Sequence, residues 1–236
     1  MVNVATGSLL LSVLVALAVG LAFGALSGFI ITRFSIPAFI MTLALTEAAR
    51  GGAVLVTGGN TISGLTPAFT AMGQGYAGPI PIAVLILILA FAVMWIILNK
   101  TPYGRYIYAV GGNDKAAEAS GINPKSVVFK AYLLDGVLTG IASLLLMARL
   151  NSGVPGAGVS YEMDAITAVV VGGTSMSGGS GTLFGTIVGA VIVGIINNVQ
   201  TLMGVDSNIQ KIVKGVIIVG AVIIDVVTKR SAKKAR

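Results

Sequence analysis

The chain has 236 residues, 56% of them hydrophobic and only 10% charged, with a mean hydropathy of +0.97. Soluble domains carry about a quarter charged residues, so a water-soluble fold is excluded. Cysteine and histidine are both absent, which removes disulfides, thiolate metal sites, thiol nucleophiles and imidazole catalysis.

A helix needs about 20 apolar residues to cross a hydrocarbon core of roughly 30 Å. Runs that answer this description lie at 9–31, 36–56, 80–98, 127–148, 183–201 and 209–227, with a shorter one at 165–171. The short run either extends back through Asp164 or is a broken or re-entrant segment, whose backbone protein or water must satisfy. The first run is too long for a signal peptide and lacks a basic start and a cleavage site. The expected fold is therefore all-α: one polytopic transmembrane helical bundle over residues 1–236, with about seven membrane segments.

The net charge of +7 suits either nucleic acid or membrane orientation. The bases stand in loops and the tail beside apolar runs, which favours orientation and no nucleic-acid partner. With a cytoplasmic C-terminus, Arg33, Lys100, Arg105, Lys115, Lys125, Lys130, Lys229, Arg230, Lys233, Lys234 and Arg236 lie inside, and Arg50, Arg149, Lys211 and Lys214 lie outside or near outer span ends. Residues 100–126 then form a cytoplasmic loop, and 228–236 a basic cytoplasmic tail. Seven crossings put Met1 on the outer side, so the chain reads as one whose earlier spans are missing.

Gly20, Gly24 and Gly28 recur every four residues, as do Gly181, Gly185 and Gly189. Each trio is expected on one helix face, either for close packing or as a sliding surface. Polar residues within spans are costly and become functional candidates. Glu47 and Arg50, three apart, suit an ion pair or a solute contact. Asn197 and Asn198 suit interhelical hydrogen bonds or a pathway lining. Asp135 falls within the fourth run, and Asp164, with Glu162, on a polar rim or solute pathway. Lys211 and Lys214 are expected to snorkel to the interface. The clusters Gly172-Gly173-Thr174-Ser175 and Gly178-Gly179-Ser180-Gly181 lack the Gly-Lys-Ser/Thr of a P-loop, so they read as loop and packing glycines.

In the loop, Asn113 suits an N-cap, Asp114 a first helical turn and Gly121 the position just past the end. The small residues between them fit a helix seated in another protein's groove or an ordinary connecting helix. This stretch resembles the cytoplasmic loop of the ribose-type permeases of bacterial ATP-binding-cassette (ABC) importers, where Gly-Gly-Asn leads into a Glu-Ala-Ala…Gly pattern. Here Lys115-Ala116-Ala117 and Gly121 occupy that pattern, with lysine in place of the usual glutamate. The resemblance continues through Gly158-Val159-Ser160-Tyr161-Glu162-Met163-Asp164, Val171-Gly172-Gly173-Thr174-Ser175, Gly194-Ile195-Ile196-Asn197-Asn198 and Gln210…Lys214…Asp225. Nothing like the family's upstream Gly-Ile-Asp-Leu-Ser type motif precedes Val2, so the chain is similar to the family's C-terminal two thirds or more.

The resemblance implies a non-catalytic, multi-pass permease of the bacterial inner membrane that carries a sugar or related small polar solute inward. It implies contact of Gly111, Gly112, Asn113, Lys115, Ala116, Ala117 and Gly121 with an ATP-binding subunit, which would hold ATP and Mg, this chain binding no cofactor or metal. An extracytoplasmic solute-binding protein, a second permease copy and membrane lipid are the other partners it implies. A secondary transporter or channel driven by an ion gradient is the rival, with a truncated, non-transporting fragment as the third reading. The charge distribution predicts that single cysteines at Ser126 and Ser231 resist an impermeant thiol reagent in intact cells; ready labelling of both from outside would overturn the orientation.

Overall fold

Inside hydrocarbon, backbone N–H and C=O groups find no water, so a crossing segment must satisfy them within itself. The computed structural model, which describes residues 1–234, accordingly consists almost entirely of helices: α1 (Val2–Thr6), α2 (Leu9–Phe34), α3 (Ala38–Thr57), α4 (Pro67–Gln74), α5 (Ile82–Lys100), α6 (Pro102–Gly112), α7 (Asp114–Ala119), α8 (Pro124–Leu150), α9 (Tyr161–Val171), α10 (Leu183–Leu202) and α11 (Ser207–Lys234). A two-residue antiparallel hairpin, β1 (Tyr76–Ala77) with β2 (Ile80–Pro81), precedes α5. By length and composition, α2, α3, α5, α8 and α10 can each cross a membrane. The chain divides into two compact units, Met1–Tyr103 with Gly121–Ala157 and Gly104–Ser120 with Gly158–Arg236.

Helix ends follow local chemistry. The Ser8 side chain accepts the Leu11 N–H to start α2, and Asn123 accepts the Ser126 N–H to start α8, whose first residue is Pro124. Helix α3 ends on Gly58 at φ +60°, a left-handed conformation that costs glycine little. The run at 80–98 begins later than expected as helix, because Ile80 and Pro81 belong to the hairpin.

In the first unit the main contact is between α2 and α8. A methyl group at Gly20 would collide with the Gly136 carbonyl oxygen, one at Gly24 with that of Tyr132, and one at Gly28 would lie 3.0 Å from the Tyr132 Cβ. Gly136 and Gly140 on α8 answer from the other side. Lipid offers apolar side chains the same surroundings as a helix neighbour, so association relies on such backbone approach and van der Waals contact. Against this pair packs α4, whose Phe69 is 1% exposed and meets Leu144 and Ala148 of α8. Asn3 pins the connection before α4 by accepting the Thr66 N–H at 2.9 Å, and Ile62 and Gly153 exchange two backbone hydrogen bonds. Helix α5 buries none of its 19 residues, as an all-apolar helix facing lipid would.

In the second unit, α9 packs on α10 and α11. The short run does extend back through Asp164 to Tyr161, giving 11 residues and about 16 Å of helix, half a membrane's depth. Gly172, at its end, faces Gly185 and Gly189 of α10 so closely that a methyl group on any of the three would strike backbone. Gly181 does not share that face. Thr182 caps α10 by accepting the Gly185 N–H, so Gly181 lies in the preceding loop against Thr174. Helix α11 runs on through most of the expected tail; residues 235 and 236, and the side chains of residues 224–226, Asp225 among them, and from 228 onward, lie outside the described residues.

Gly24→Val is expected to destabilise the fold by about 1–3 kcal/mol, the usual cost of overpacking. Gly51→Ala, at a position on α3 with nothing within 4 Å, should be neutral or stabilising by up to about 1 kcal/mol, through helix propensity alone. Unfolding by a denaturing detergent in mixed micelles measures both, and equal effects would contradict the packing described.

Candidate functional site: a surface helix, a half-buried ion pair and a cavity

Three features gather the polar chemistry of the chain. The first is α7 and its approach. Asn113 accepts the Ala116 N–H at 3.0 Å, the Asp114 carboxylate accepts the Lys115 N–H at 2.8 Å, and Gly121 turns away at φ +83°. Ala117 is buried and anchors the helix, while Asp114, Lys115, Ala116 and Glu118 are exposed. Gly111 and Gly112, at the end of α6, lie against the chain's own loop: a methyl group at Gly111 would sit 2.7 Å from the Gly179 nitrogen, and one at Gly179 2.6 Å from the Gly112 Cα. Gly178 and Gly179 take φ of +83° and +75° to make this crossing, and the Tyr108 hydroxyl donates to the Gly181 carbonyl at 3.1 Å. At the start of α6 the Tyr103 hydroxyl donates to the Val127 carbonyl at 3.0 Å, and burial pushes its phenol up from the ordinary value.

The second feature ties α9, α10 and α11 together. Lys214 reaches Asp164 at 2.7 Å, and the Asn197 amide donates to the same carboxylate oxygen at 3.3 Å. The expected snorkelling of Lys214 is thereby corrected. Its side chain is 20% exposed and turned to Asp164, because a charge among apolar helices gains more from an opposite charge than from stretching outward. Lys211, one turn earlier, is exposed, as are Asn198 and Glu162. Asp164 and Glu162 face different ways on α9, so they make no carboxylate pair. Among the described residues, the Asn197 Oδ1 and Gln200 Oε1 atoms are buried without a hydrogen-bond partner.

The third feature lies in the first unit. Glu47 and Arg50 pair at 3.2 Å along α3. Arg50 also borders a cavity of about 850 Å³ among α2, α3, α4 and α8, whose walls are mostly apolar. Besides Arg50, its polar lining comes from Asn3 of α1, Ser12 and Ser27 of α2, Thr42, Thr46 and Thr57 of α3, and Asp135, Thr139 and Ser143 of α8. Asp135 was legible in the sequence as a charge within a span. The hydroxyl residues beside it were not singled out, although their spacing of four carried the signal. Among the described residues, no group of three acidic side chains could hold a metal ion.

Comparison with known proteins agrees with this architecture. A family model described as "Branched-chain amino acid transport system / permease component" matches residues 1–222. The ribose import permease protein of Bacillus subtilis (strain 168) is 46% identical over 208 residues, covering 87% of this chain and 64% of that protein. The ribose import permease protein of Haemophilus influenzae is 43% identical over 215 residues, covering 89% and 67%. The galactose/methyl galactoside import permease protein of Salmonella typhimurium is 37% identical over 230 residues, covering 94% and 68%. The chain thus spans about two thirds of the length of these relatives. No solved structure matches it. On the match over residues 1–222, with five helices long and apolar enough to cross a membrane among the described residues, the chain belongs to the family of branched-chain amino acid transport system permease components.

Proposed function

We propose that this chain is the membrane-spanning permease subunit of an ABC importer for a monosaccharide or a related small polar solute. The observation that carries the reading is its relatives: the ribose import permease proteins at 43–46% identity and the galactose/methyl galactoside import permease protein at 37% are named for sugars. A family description that mentions branched-chain amino acids is the broader statement, and similarity at this level favours the sugar. The chain makes and breaks no bond; an ATP-binding subunit hydrolyses ATP, and an extracytoplasmic binding protein delivers the solute. A second permease copy completes the pathway in the inner membrane, and the C-terminus and the loop at 100–126 face the cytoplasm.

The coupling step in this reading runs through α7. Its exposed face offers Lys115 and Ala116 to the ATP-binding subunit, where a small side chain permits close seating. Movement of α7 passes into α6, and through the Gly111–Gly112 crossing and the Tyr108 hydrogen bond into the loop that leads to α10. Backbones in such close approach slide or move together rather than compress, so the spans of the second unit follow the partner between outward-open and inward-open states. The Asp164–Lys214–Asn197 cluster fits this role as a tie that moves α9, α10 and α11 as one body. Glu47, Arg50, Asn197, Asn198 and Asp164 remain the sequence-derived candidates for a solute pathway, of which Arg50 borders the open cavity.

Reconstitution with a cognate ATP-binding subunit and solute-binding protein tests the reading: it predicts ATP-dependent uptake of labelled D-ribose into proteoliposomes. Gly121→Val, at φ +83°, should cost roughly 1–2 kcal/mol locally, displace α7, and reduce both partner binding and uptake with membrane insertion kept. Normal transport and normal partner affinity in that variant would reduce α7 to a connector.

A further inference from the structure

Helix α11 is basic at both ends. Lys211 and Lys214 stand in its first eight residues, and Lys229, Arg230, Lys233 and Lys234 follow its apolar run. Bases beside a membrane helix are held on the cytoplasmic side, so the two ends of α11 compete for that side. The turn at 203–206 between α10 and α11 is four residues long and makes the two helices an antiparallel hairpin. If α11 crosses, one basic end has to face outward. In the proposed orientation it is the end with fewer bases, that of Lys211 and Lys214.

The structure treats these two lysines differently. Lys211 is exposed and lies about 6 Å along the helix, from where a long side chain reaches the interface. Lys214 lies about 10 Å along it, at the level where α10 presents Asn197, five residues before its own end. The Lys214 ammonium meets the Asp164 carboxylate of α9 at 2.7 Å, and both side chains are half-buried. The Asn197 amide donates to the same Asp164 oxygen at 3.3 Å, which holds that oxygen between α10 and α11. A lysine within a membrane segment is costly alone and is tolerated where it meets an acid. Joined to Asp164, Lys214 also no longer counts as a free positive charge at the outer end of α11.

We infer that the Asp164–Lys214 pair sets the placement of α11 in the membrane. The negative charge supplied by α9 lets the first turns of α11 carry Lys214 on the outer side, and so leaves the more basic end in the cytoplasm. The inference rests on the orientation given in the proposed function. It makes Asp164 a positioning residue for α11, and it fixes an order: α9 is in place before α11 settles.

The test is made in intact cells on the full chain, which has no native cysteine, with a single cysteine in place of Ser231 and a membrane-impermeant maleimide as the probe. In this background the cysteine should stay unlabelled until the cells are opened. Asp164→Leu should leave Lys214 without its partner, keep α11 from crossing in part of the molecules and raise labelling from outside at least tenfold. Lys214→Leu added to Asp164→Leu should restore protection, because no charge is then left unpaired, whereas Lys211→Leu added instead should not. Should Asp164→Leu lower the amount of chain in the membrane, the same Lys214→Leu addition should return it, which separates loss of the pair from a general failure to fold. Background labelling and a normal amount of chain in Asp164→Leu would overturn the inference and leave the proposed importer standing. So would failure of Lys214→Leu to restore protection, or equal rescue by Lys211→Leu. Labelling of the Ser231→Cys background from outside would overturn the orientation and this inference with it, while sugar uptake in proteoliposomes decides the transport function separately.

Discussion

Between helices immersed in lipid an apolar side chain gains nothing by turning inward, so the backbones themselves must come together. The close approach of glycine to glycine is the constraint on which this chain depends. Gly20, Gly24 and Gly28 bring α2 onto Gly136 and Gly140 of α8, and Gly172 receives Gly185 and Gly189. The same device joins Gly111 and Gly112 to Gly178 and Gly179. The first two contacts hold membrane helices together, while the third ties a surface helix to the loop before α10. Each leaves no room for a methyl group at its tightest point, which makes these joints stiff and their positions well defined.

Polar groups complete the design because each is expensive in hydrocarbon. Asp164 and Lys214 neutralise one another and Asn197 adds a hydrogen bond, so three helices share one ion-paired cluster. Glu47 and Arg50 do the same along one helix. Asp135 is the contrast, a charge left facing a cavity.

Most of the fold was legible in the sequence because hydropathy over 20 residues reports directly on membrane helices. Helix α7 was legible nearly residue by residue, since Asn113 and Gly121 are strong local signals that need no tertiary contact. The connection before α5 was not. Helix α4 is only eight residues long and is held by Phe69 packing into α8, an interaction between residues far apart in sequence. Helix α6 was not singled out: its Gly111 and Gly112 were read through the family resemblance as contacts with an ATP-binding subunit, whereas they lie where α6 crosses the chain at Gly178 and Gly179. Gly181 was assigned to a helix face from spacing alone, and the capping Thr182 shifts the helix start beyond it. Lys214 was read without the partner that stands fifty residues earlier. Of the site, the charged positions were legible from their cost, and the Thr42–Thr46 and Thr139–Ser143 stripes only once the cavity placed them on a common wall.

The proposed importer turns on one physical link, the stiff crossing through which motion of α7 and α6 would pass into the loop before α10. It is tested most directly by the ratio of ATP hydrolysed to solute imported, measured in the reconstituted complex for Gly111→Val against the unsubstituted chain. A branched side chain at that position strikes the Gly179 backbone and disengages the crossing, so the ratio should rise at least tenfold while the ATP-binding subunit still co-purifies with the permease. An unchanged ratio, with uptake and hydrolysis both normal, would contradict the account.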